Sequence, residues 1–255
     1  MKLGLVTYNL AKDWDVPTII KNCAETGFEG VELRTTHAHG VEVDLSKSER
    51  AEIRKQFEDS PVSIAGLGSA FEYHSMDPDE VRQNIEGTNA YSQLAADVGA
   101  PGVKVRPNGV HTDDGVPIEQ TLEQIGKAFN EVAAFAADLG VEVRMEVHGK
   151  TTQIPKNMHA IMQVADHSNA YVCWNSNPTD VDDTGSVKSN FNLLKNRIRL
   201  VHITELWNQY PWREEFALLK GIDYTGFTLA EIPESSDPVR LMKYYRALWL
   251  ELQRS

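Results

Sequence analysis

Short β-prone runs alternate regularly with longer amphipathic stretches along this chain, and this pattern limits the folds it can adopt. Eight such alternations can be counted along the 255 residues. Their spacing is close to that of one βα unit, about 30 residues, and the pattern is typical of a parallel sheet covered by helices. The predicted strands are residues 3–8, 30–34, 62–67, 103–107, 141–148, 170–175, 198–204 and 226–232.

The stretches between these strands have helical periodicity, and some of their ends carry capping signals. Ser46 begins the run SKSE, which predicts a capping box with Glu49 at the start of the second helix. After the seventh strand, the aromatic and irregular segment ELWNQYPWREEFALLKGIDYTG predicts a long active-site loop with a short helix. The predicted helices are residues 15–27, 46–59, 78–98, 117–139, 155–167, 186–196 and 237–253.

Eight βα units in a chain of this length predict a single domain over residues 1–255, an α/β fold of the (β/α)8 or TIM barrel type, which typically needs about 250 residues. A doubly wound open sheet also alternates strands and helices. However, no glycine-rich phosphate-binding fingerprint follows the first strand, and eight units favour the closed barrel.

Composition limits the classes of partner. The formal net charge of −12 opposes nucleic-acid binding, which usually uses a basic surface. No apolar run approaches the roughly 18 to 20 residues of a membrane span, and the amino terminus does not resemble a signal peptide. Cys23 and Cys173 lie in predicted core segments, and two isolated cysteines form no disulfide framework. We expect a cytoplasmic protein that binds a small molecule.

Polar side chains interrupt the late strands where apolar residues would be expected. Arg144, Glu146 and His148 share one face of the fifth strand by its two-residue period. The next three strands carry Asn175, His202 and Glu231 near their carboxyl ends, where barrel enzymes build their sites. Taken alone, Glu146 or Glu231 is as consistent with a structural role as with a functional one, and an isolated His202 favours a buried histidine with a structural role. Their coincidence at the ends of consecutive strands favours a functional site at one mouth of the barrel.

The earlier strands add further charges at inward positions. Lys104 and Arg106 follow each other at a spacing of two on the fourth strand, which points both toward the same face. Glu32, Arg34 and Arg144 are expected to neutralise one another as a buried ion network, because paired charges are the form in which buried charges are tolerated.

Several of these segments together resemble a known group, the xylose-isomerase-like barrels. These are sugar isomerases and epimerases that share a fold with type 2 AP endonucleases, and the resemblance covers essentially the whole chain. No single motif is strong, but their order and spacing are fairly specific. The segments that carry the resemblance are GFEGVELR, VEVRMEVHG, YVCWN, VHITEL and GFTLAEIPES.

The resemblance implies a divalent ion, usually manganese, magnesium or cobalt, held by a glutamate, an aspartate, a histidine and a glutamate on strands five to eight. The matching positions here are Glu146, Asn175, His202 and Glu231. Asn175 departs from the pattern, because it offers a neutral carbonyl oxygen where the family has a carboxylate. Hard ions prefer carboxylate oxygen, so affinity for the ion should fall. Asp180 in the following loop is a candidate additional ligand.

The resemblance also implies a reaction on sugars. An ion bound to a ketose makes the proton next to the carbonyl more acidic by stabilising the enediolate. Glu146 and Glu231 would then act as base and acid on the two faces of that carbon. His148 with Lys104 or Arg106 would bind hydroxyls or a terminal anionic group, and Trp207 would stack on the sugar ring.

Three other functions stay open at this point. A lyase or dehydratase of the same fold would begin with the same proton removal. A non-catalytic sugar-binding barrel would account for the change at Asn175. DNA repair is disfavoured by the charge and by the lack of a histidine-rich zinc cluster. The expected partner is a small sugar or sugar acid; the aromatic loop containing Trp207, Tyr210 and Trp212 is also suited to a homodimer contact.

Overall fold

The sheet of this protein is a closed barrel of eight parallel strands in sequence order. The structure is a computed structural model that describes residues 1–254. Each strand pairs with the next, and β8 pairs with β1 to close the ring. The strands are β1 Lys2–Asn9, β2 Gly30–Arg34, β3 Ser63–Glu72, β4 Gly102–Arg106, β5 Glu142–Glu146, β6 Ala170–Asn175, β7 Ile198–Ile203 and β8 Phe227–Ile232.

A helix follows each strand and covers the outside of the barrel. Several helices begin where the sequence supplies a capping side chain: Asp15 accepts a hydrogen bond from the amide of Thr18, and the Ser46–Glu49 capping box is present as predicted. The helices are α1 Val16–Thr26, α2 Lys47–Glu58, α3 Pro78–Val98, α4 Ile118–Asp138, α5 Pro155–Val164, α6 Lys188–Leu194, α7 Trp212–Gly221 and α8 Pro238–Leu252.

The predicted (β/α)8 fold is confirmed, with differences at element ends. The third strand continues to Glu72, five residues beyond the predicted end, and the fifth stops at Glu146. His148 therefore lies after β5 rather than within it. The irregular segment after β7 contains the ten-residue helix α7.

The core has two parts, which together determine where a ligand can enter. The larger part lies between the sheet and the helices and includes Cys23. The smaller part fills the inside of the barrel with five buried residues from β1, β3, β6, β7 and β8, namely Val6, Ala65, Cys173, Leu200 and Leu229. Because this apolar layer closes the barrel below the polar residues, the site opens at the carboxyl ends of the strands.

Within residues 1–254, no helix combines the length and the apolar character that crossing a bilayer requires.

Candidate functional site

The inward face of β5 supplies the first residues of the site. Val143 and Met145 are fully buried in the core between sheet and helices, so Arg144 and Glu146 point into the barrel. Arg144 lies deeper and forms an ion pair of 2.7 Å with Glu142. Glu146 is the last residue of the strand, which places its carboxylate at the carboxyl-end mouth.

A buried ion pair joins Glu146 to the neighbouring strand. The Nζ of Lys104, on β4, lies 2.7 Å from Glu146 Oε2, and both side chains are almost fully buried. Burial alone would favour a protonated carboxyl group. The Lys104 ammonium and the nearby His202 outweigh this effect and hold the pKa of Glu146 well below its ordinary value. Glu146 is therefore ionised at neutral pH.

His202 on β7 is held from one side by a carboxylate and faces two others. Its Nε2–H donates to Glu32 Oε2 at 3.3 Å, which fixes the ring orientation. Its Nδ1 lies 3.5 Å from Glu146 Oε1 and 3.6 Å from Glu231 Oε2. This Nδ1 is buried and has no hydrogen-bond partner among the described residues. An unpartnered buried nitrogen between two carboxylates is a position suited to a cation.

Asn175 and Glu231 complete the arc predicted from the sequence. The Asn175 amide nitrogen is 3.3 Å from Glu146 Oε1, and a half-turn of the amide would bring its oxygen to the same place. Glu231 on β8 is the more accessible carboxylate, with 23% of its side chain exposed against 3% for Glu146. The structure thus brings together all four residues that the resemblance assigned to the ion.

The residues present fit a divalent ion, with three strong ligands and one weak one. One ligand atom each from Glu146, His202 and Glu231 lies within 4.8 Å of the others. Two carboxylates and an imidazole oriented by a second carboxylate, Glu32, are a common donor set for such ions. Asn175 adds at most a neutral amide oxygen. Asp180, the candidate extra ligand, does not belong to this cluster: its Oδ2 accepts hydrogen bonds from the Asn177 amide and the Tyr210 hydroxyl.

Two residues that sequence reasoning did not assign to the site hold His202 in place. Glu32 was predicted to belong to an ion network with Arg34 and Arg144, but its carboxylate contacts His202 instead. Gly68 on β3 leaves the space that Glu32 occupies, since a Cβ at Gly68 would lie 2.6 Å from Glu32 Oε1. The short spacing of small residues in SIAGLGSA was the only sequence signal for this close approach.

Small-molecule sites typically have volumes of about 300 to 1,000 Å³, and a cavity of about 630 Å³ opens beside Glu231 and Asn175. It lies between the loops that follow β6 and β7. Amides and hydroxyls predominate among its polar groups, which is suited to a polyhydroxylated ligand. The lining residues are Asn175, Ser176, Asn177, Pro178, Val181, Thr204, Asn208, Gln209, Tyr210 and Glu231.

Two buried carboxyl groups support the wall of this cavity. Glu215 on α7 accepts hydrogen bonds from Ser176 Oγ, at 3.2 Å, and from Trp174 Nε1, at 3.4 Å. These donors flank Asn175 in sequence, so Glu215 supports the end of β6. Burial raises the pKa of Glu215 to about 7, although its hydrogen bonds act in the opposite direction. Burial also raises the pKa of Asp180 well above its ordinary value.

The other predicted substrate-binding residues are differently placed. Arg106 is half-buried and forms an ion pair of 2.6 Å with Glu72. His148 donates from Nδ1 to the side-chain oxygen of Asn108 at 3.0 Å. Trp207 is 76% exposed and does not line the cavity beside Glu231. Of the aromatic residues in its loop, Tyr210 lines that cavity, and Trp212 is buried.

The fold and the site define a class: a (β/α)8 barrel with a carboxylate–histidine cluster at the carboxyl-end mouth. Residues 20–250 match the family model of the xylose isomerase-like TIM barrel. The chain belongs to that family. No curated protein is significantly similar to the sequence.

Solved structures with the same fold include several sugar enzymes. A D-psicose 3-epimerase with D-tagatose, from Clostridium cellulolyticum H10, has a TM-score of 0.83 at 14% identity, with 100% of both chains covered. An L-ribulose 3-epimerase has a TM-score of 0.81 at 16% identity, covering 100% of this chain and 96% of the other. The IOLI protein with a bound zinc atom has a TM-score of 0.78 at 14% identity, with 99% and 98% covered. At these identities the likeness establishes the fold.

Proposed function

We propose that this protein is a sugar isomerase or epimerase that transfers a proton at the carbon next to a carbonyl group. A divalent ion, manganese, magnesium or cobalt, would be held by Glu146, His202 and Glu231, with the amide oxygen of Asn175 as a weak fourth ligand. The observation that carries the proposal is the buried Nδ1 of His202, which has no hydrogen-bond partner in residues 1–254 and faces both carboxylates.

The two carboxylates differ in ways that suit different steps. Glu231 lines the cavity, so it is the group placed to remove the proton from a bound sugar. Glu146 is kept ionised by Lys104 and faces His202 Nδ1 from β5, whereas Glu231 faces it from β8. Glu146 would take up a proton from solvent and donate it to the other face of the carbon, while Glu231 releases the proton it removed to solvent. Epimerisation needs both groups, whereas isomerisation on one face needs Glu231 alone.

The surroundings of Glu231 favour a sugar as the substrate. The cavity presents amide groups from Asn175, Asn177 and Asn208 and a hydroxyl group from Thr204. Such groups both donate and accept hydrogen bonds, as sugar hydroxyls require. Two structures with this fold are named as epimerases of ketoses, which supports the same substrate class. The homodimer and the cytoplasmic location stay predictions.

The ion has a limited chemical task in this proposal. When bound, it would polarise the sugar carbonyl and make the neighbouring proton more acidic. Glu32 keeps the Nε2–H of His202 engaged, which leaves Nδ1 free as the ligand atom. A structure of the same fold with a bound zinc atom, the IOLI protein, supports this assignment.

The proposal is tested by proton exchange in deuterated water. The protein is incubated with ketopentoses, ketohexoses and keto sugar acids, with manganese or with a chelator, and deuterium incorporation is followed by NMR. We expect exchange at one carbon with manganese and its loss with the chelator. Substitution E231Q should abolish exchange, and E146Q should lower it by about 100-fold or more.

Substitution E234Q is the matched control, because Glu234 is exposed and, within residues 1–254, forms an ion pair only with Lys12. It should leave exchange unchanged. Exchange accompanied by loss of water from the sugar would identify a lyase instead. Absence of exchange on every sugar, with binding retained in E146Q, would identify a non-catalytic sugar-binding barrel and overturn the proposal.

A further inference from the structure

Four lysine and arginine side chains stand at inward positions of β2, β4 and β5, and three of them are paired with carboxylates. Each of these three contacts a carboxylate at 2.6 to 2.7 Å: Lys104 pairs with Glu146, Arg106 with Glu72 and Arg144 with Glu142. The fourth is Arg34. Within residues 1–254 its guanidinium forms no ion pair and donates no hydrogen bond, and it lies 5.2 Å from the centre of the Tyr8 ring.

Arg34 is positioned at the mouth and on the side opposite the cavity. It is the last residue of β2 and lies two residues beyond Glu32, which contacts His202. Two residues of a strand span about 6 to 7 Å, so Arg34 stands one layer above Glu32 on the same face. In a ring of eight strands, β2 is opposite β6, which carries Asn175 at the cavity.

Glu42, an acidic residue in the segment that follows β2, is hydrogen-bonded to other groups. Glu42 accepts hydrogen bonds from the Thr35 hydroxyl, the Thr36 amide and the Tyr91 hydroxyl. Burial and the charge of Arg34 lower the pKa of neighbouring His37 to about 4, so His37 is neutral at pH 7. The positive charge at this part of the mouth therefore belongs to Arg34, which is half-buried and without an anionic partner.

The ring of Tyr8 gives this guanidinium a cation–π contact, but within residues 1–254 no protein group accepts a hydrogen bond from its N–H groups. An anionic group on a ligand would supply the missing hydrogen bonds, and the planar fork of arginine matches carboxylate and phosphate oxygens. The chain as a whole carries a formal charge of −12, so a ligand anion needs a local cation of this kind.

We propose that Arg34 binds the carboxylate or phosphate group of an anionic sugar, whose reacting carbonyl lies near Glu146, His202 and Glu231. The substrate class is therefore a sugar acid or a sugar phosphate rather than a neutral sugar. The reaction rests on the proposed function above, whereas the preference for an anion can be measured without any turnover.

The first experiment measures binding to the metal-free protein by isothermal titration calorimetry in the presence of a chelator. The three probes are D-glucitol, D-gluconate and D-glucitol 6-phosphate, which share a carbon chain and carry no ketone or aldehyde. We expect at least one anionic probe to bind about tenfold or more tightly than glucitol. For each anion, the affinity gained over glucitol is compared in the unaltered protein and in a variant without Arg34. The anion that loses more of this gain identifies the recognised group as a carboxylate or a phosphate.

Two substitutions at Arg34 separate charge from geometry. R34M should weaken binding of the preferred anion by about 10- to 100-fold and leave glucitol binding unchanged. R34K should restore part of the loss, because it keeps the charge without the fork. The matched control is R240M: Arg240 also lies over an aromatic ring, that of Tyr244, but is exposed on α8. Circular dichroism checks that each variant is folded.

The inference is overturned if glucitol binds as tightly as both anions, or if R34M keeps the preference for an anion. Its failure is distinguishable from failure of the proposed function. Arg34-dependent anion binding without proton exchange on any sugar would leave this inference standing and remove the proposed reaction. Exchange on neutral ketoses that is unaffected by R34M would support the proposed reaction and overturn the inference about Arg34.

Discussion

The ammonium group of Lys104 lies 2.7 Å from Oε2 of Glu146, and the barrel buries both side chains almost completely. This contact leaves Glu146 Oε1 to face His202 Nδ1 and Asn175. Glu146 is therefore shared between a fixed cation on β4 and the position proposed for a divalent ion. The sharing weakens the negative potential at that position, and the neutral side chain of Asn175 weakens it further.

Substitution N175D should strengthen the affinity for a divalent ion. A carboxylate in place of the amide adds a charged oxygen ligand, and we expect manganese to bind about tenfold or more tightly, measured by calorimetry. In the absence of the ion, the new charge would repel Glu146 and lower the melting temperature. N192D is the control, since Asn192 is exposed on α6. Equal manganese affinity in N175D and the unaltered protein would contradict a role for this position in ion binding.

Substitution K104M should make stability depend strongly on the ion. Without Lys104, Glu146 is a buried charge with no ammonium partner, which typically costs about 3 to 5 kcal/mol. Added manganese would neutralise it again, so the increase in melting temperature on adding manganese should be larger in K104M than in the unaltered protein. The control K127M removes an exposed pair with Glu123 and should change little. An identical response to manganese in K104M would show that the ion does not contact Glu146.

Substitution G68A should disturb His202 through Glu32. The added methyl group would lie 2.6 Å from Glu32 Oε1, and Glu32 has no exposed surface into which to move. We expect a loss of about 1 to 3 kcal/mol in the free energy of unfolding and weaker manganese binding. G221A, where the new methyl meets no atom within 4 Å, is the control. If G68A is destabilised but binds manganese as tightly as the unaltered protein, Gly68 matters for packing only, and the predicted effect on His202 is wrong.

Glu215 should make the protein less stable as the pH rises. Because burial raises its pKa from 4.5 to about 7, the folded state holds a proton that the unfolded state has released. Its contribution is fully present below about pH 4.5 and is lost as the pH rises through 7, in total about 3 kcal/mol. E215Q should remove this decline. Urea unfolding between pH 5 and 8 measures it, with the exposed E119Q as control. Parallel pH profiles of E215Q and the unaltered protein would show that Glu215 does not titrate in this range.

Much of the fold follows from periodicity that is visible along the chain. The eight βα units and the two-residue period of β5 follow from local preferences and from burial on one face, which each segment expresses independently. The same period places Glu146 at a strand end, and the chain order places Asn175, His202 and Glu231 at the ends of the next three strands. The parallel strands of a barrel all end at one mouth, so the clustering of these four residues can be predicted from strand order alone, without any distances.

The pairing of the charges depends on contacts between strands that are distant in sequence. The sequence predicted that Arg34 would be neutralised with Glu32 and Arg144, and that Lys104 or Arg106 would be free to bind a ligand. In the structure, Lys104 and Arg106 are paired and Arg34 is not. The reason is that partner choice depends on the register between strands, the layer each side chain reaches and the space left by residues such as Gly68. The positions of the charged residues along the chain predict which strands carry charge to the mouth, whereas packing between strands leaves one of those charges unpaired and available to a ligand.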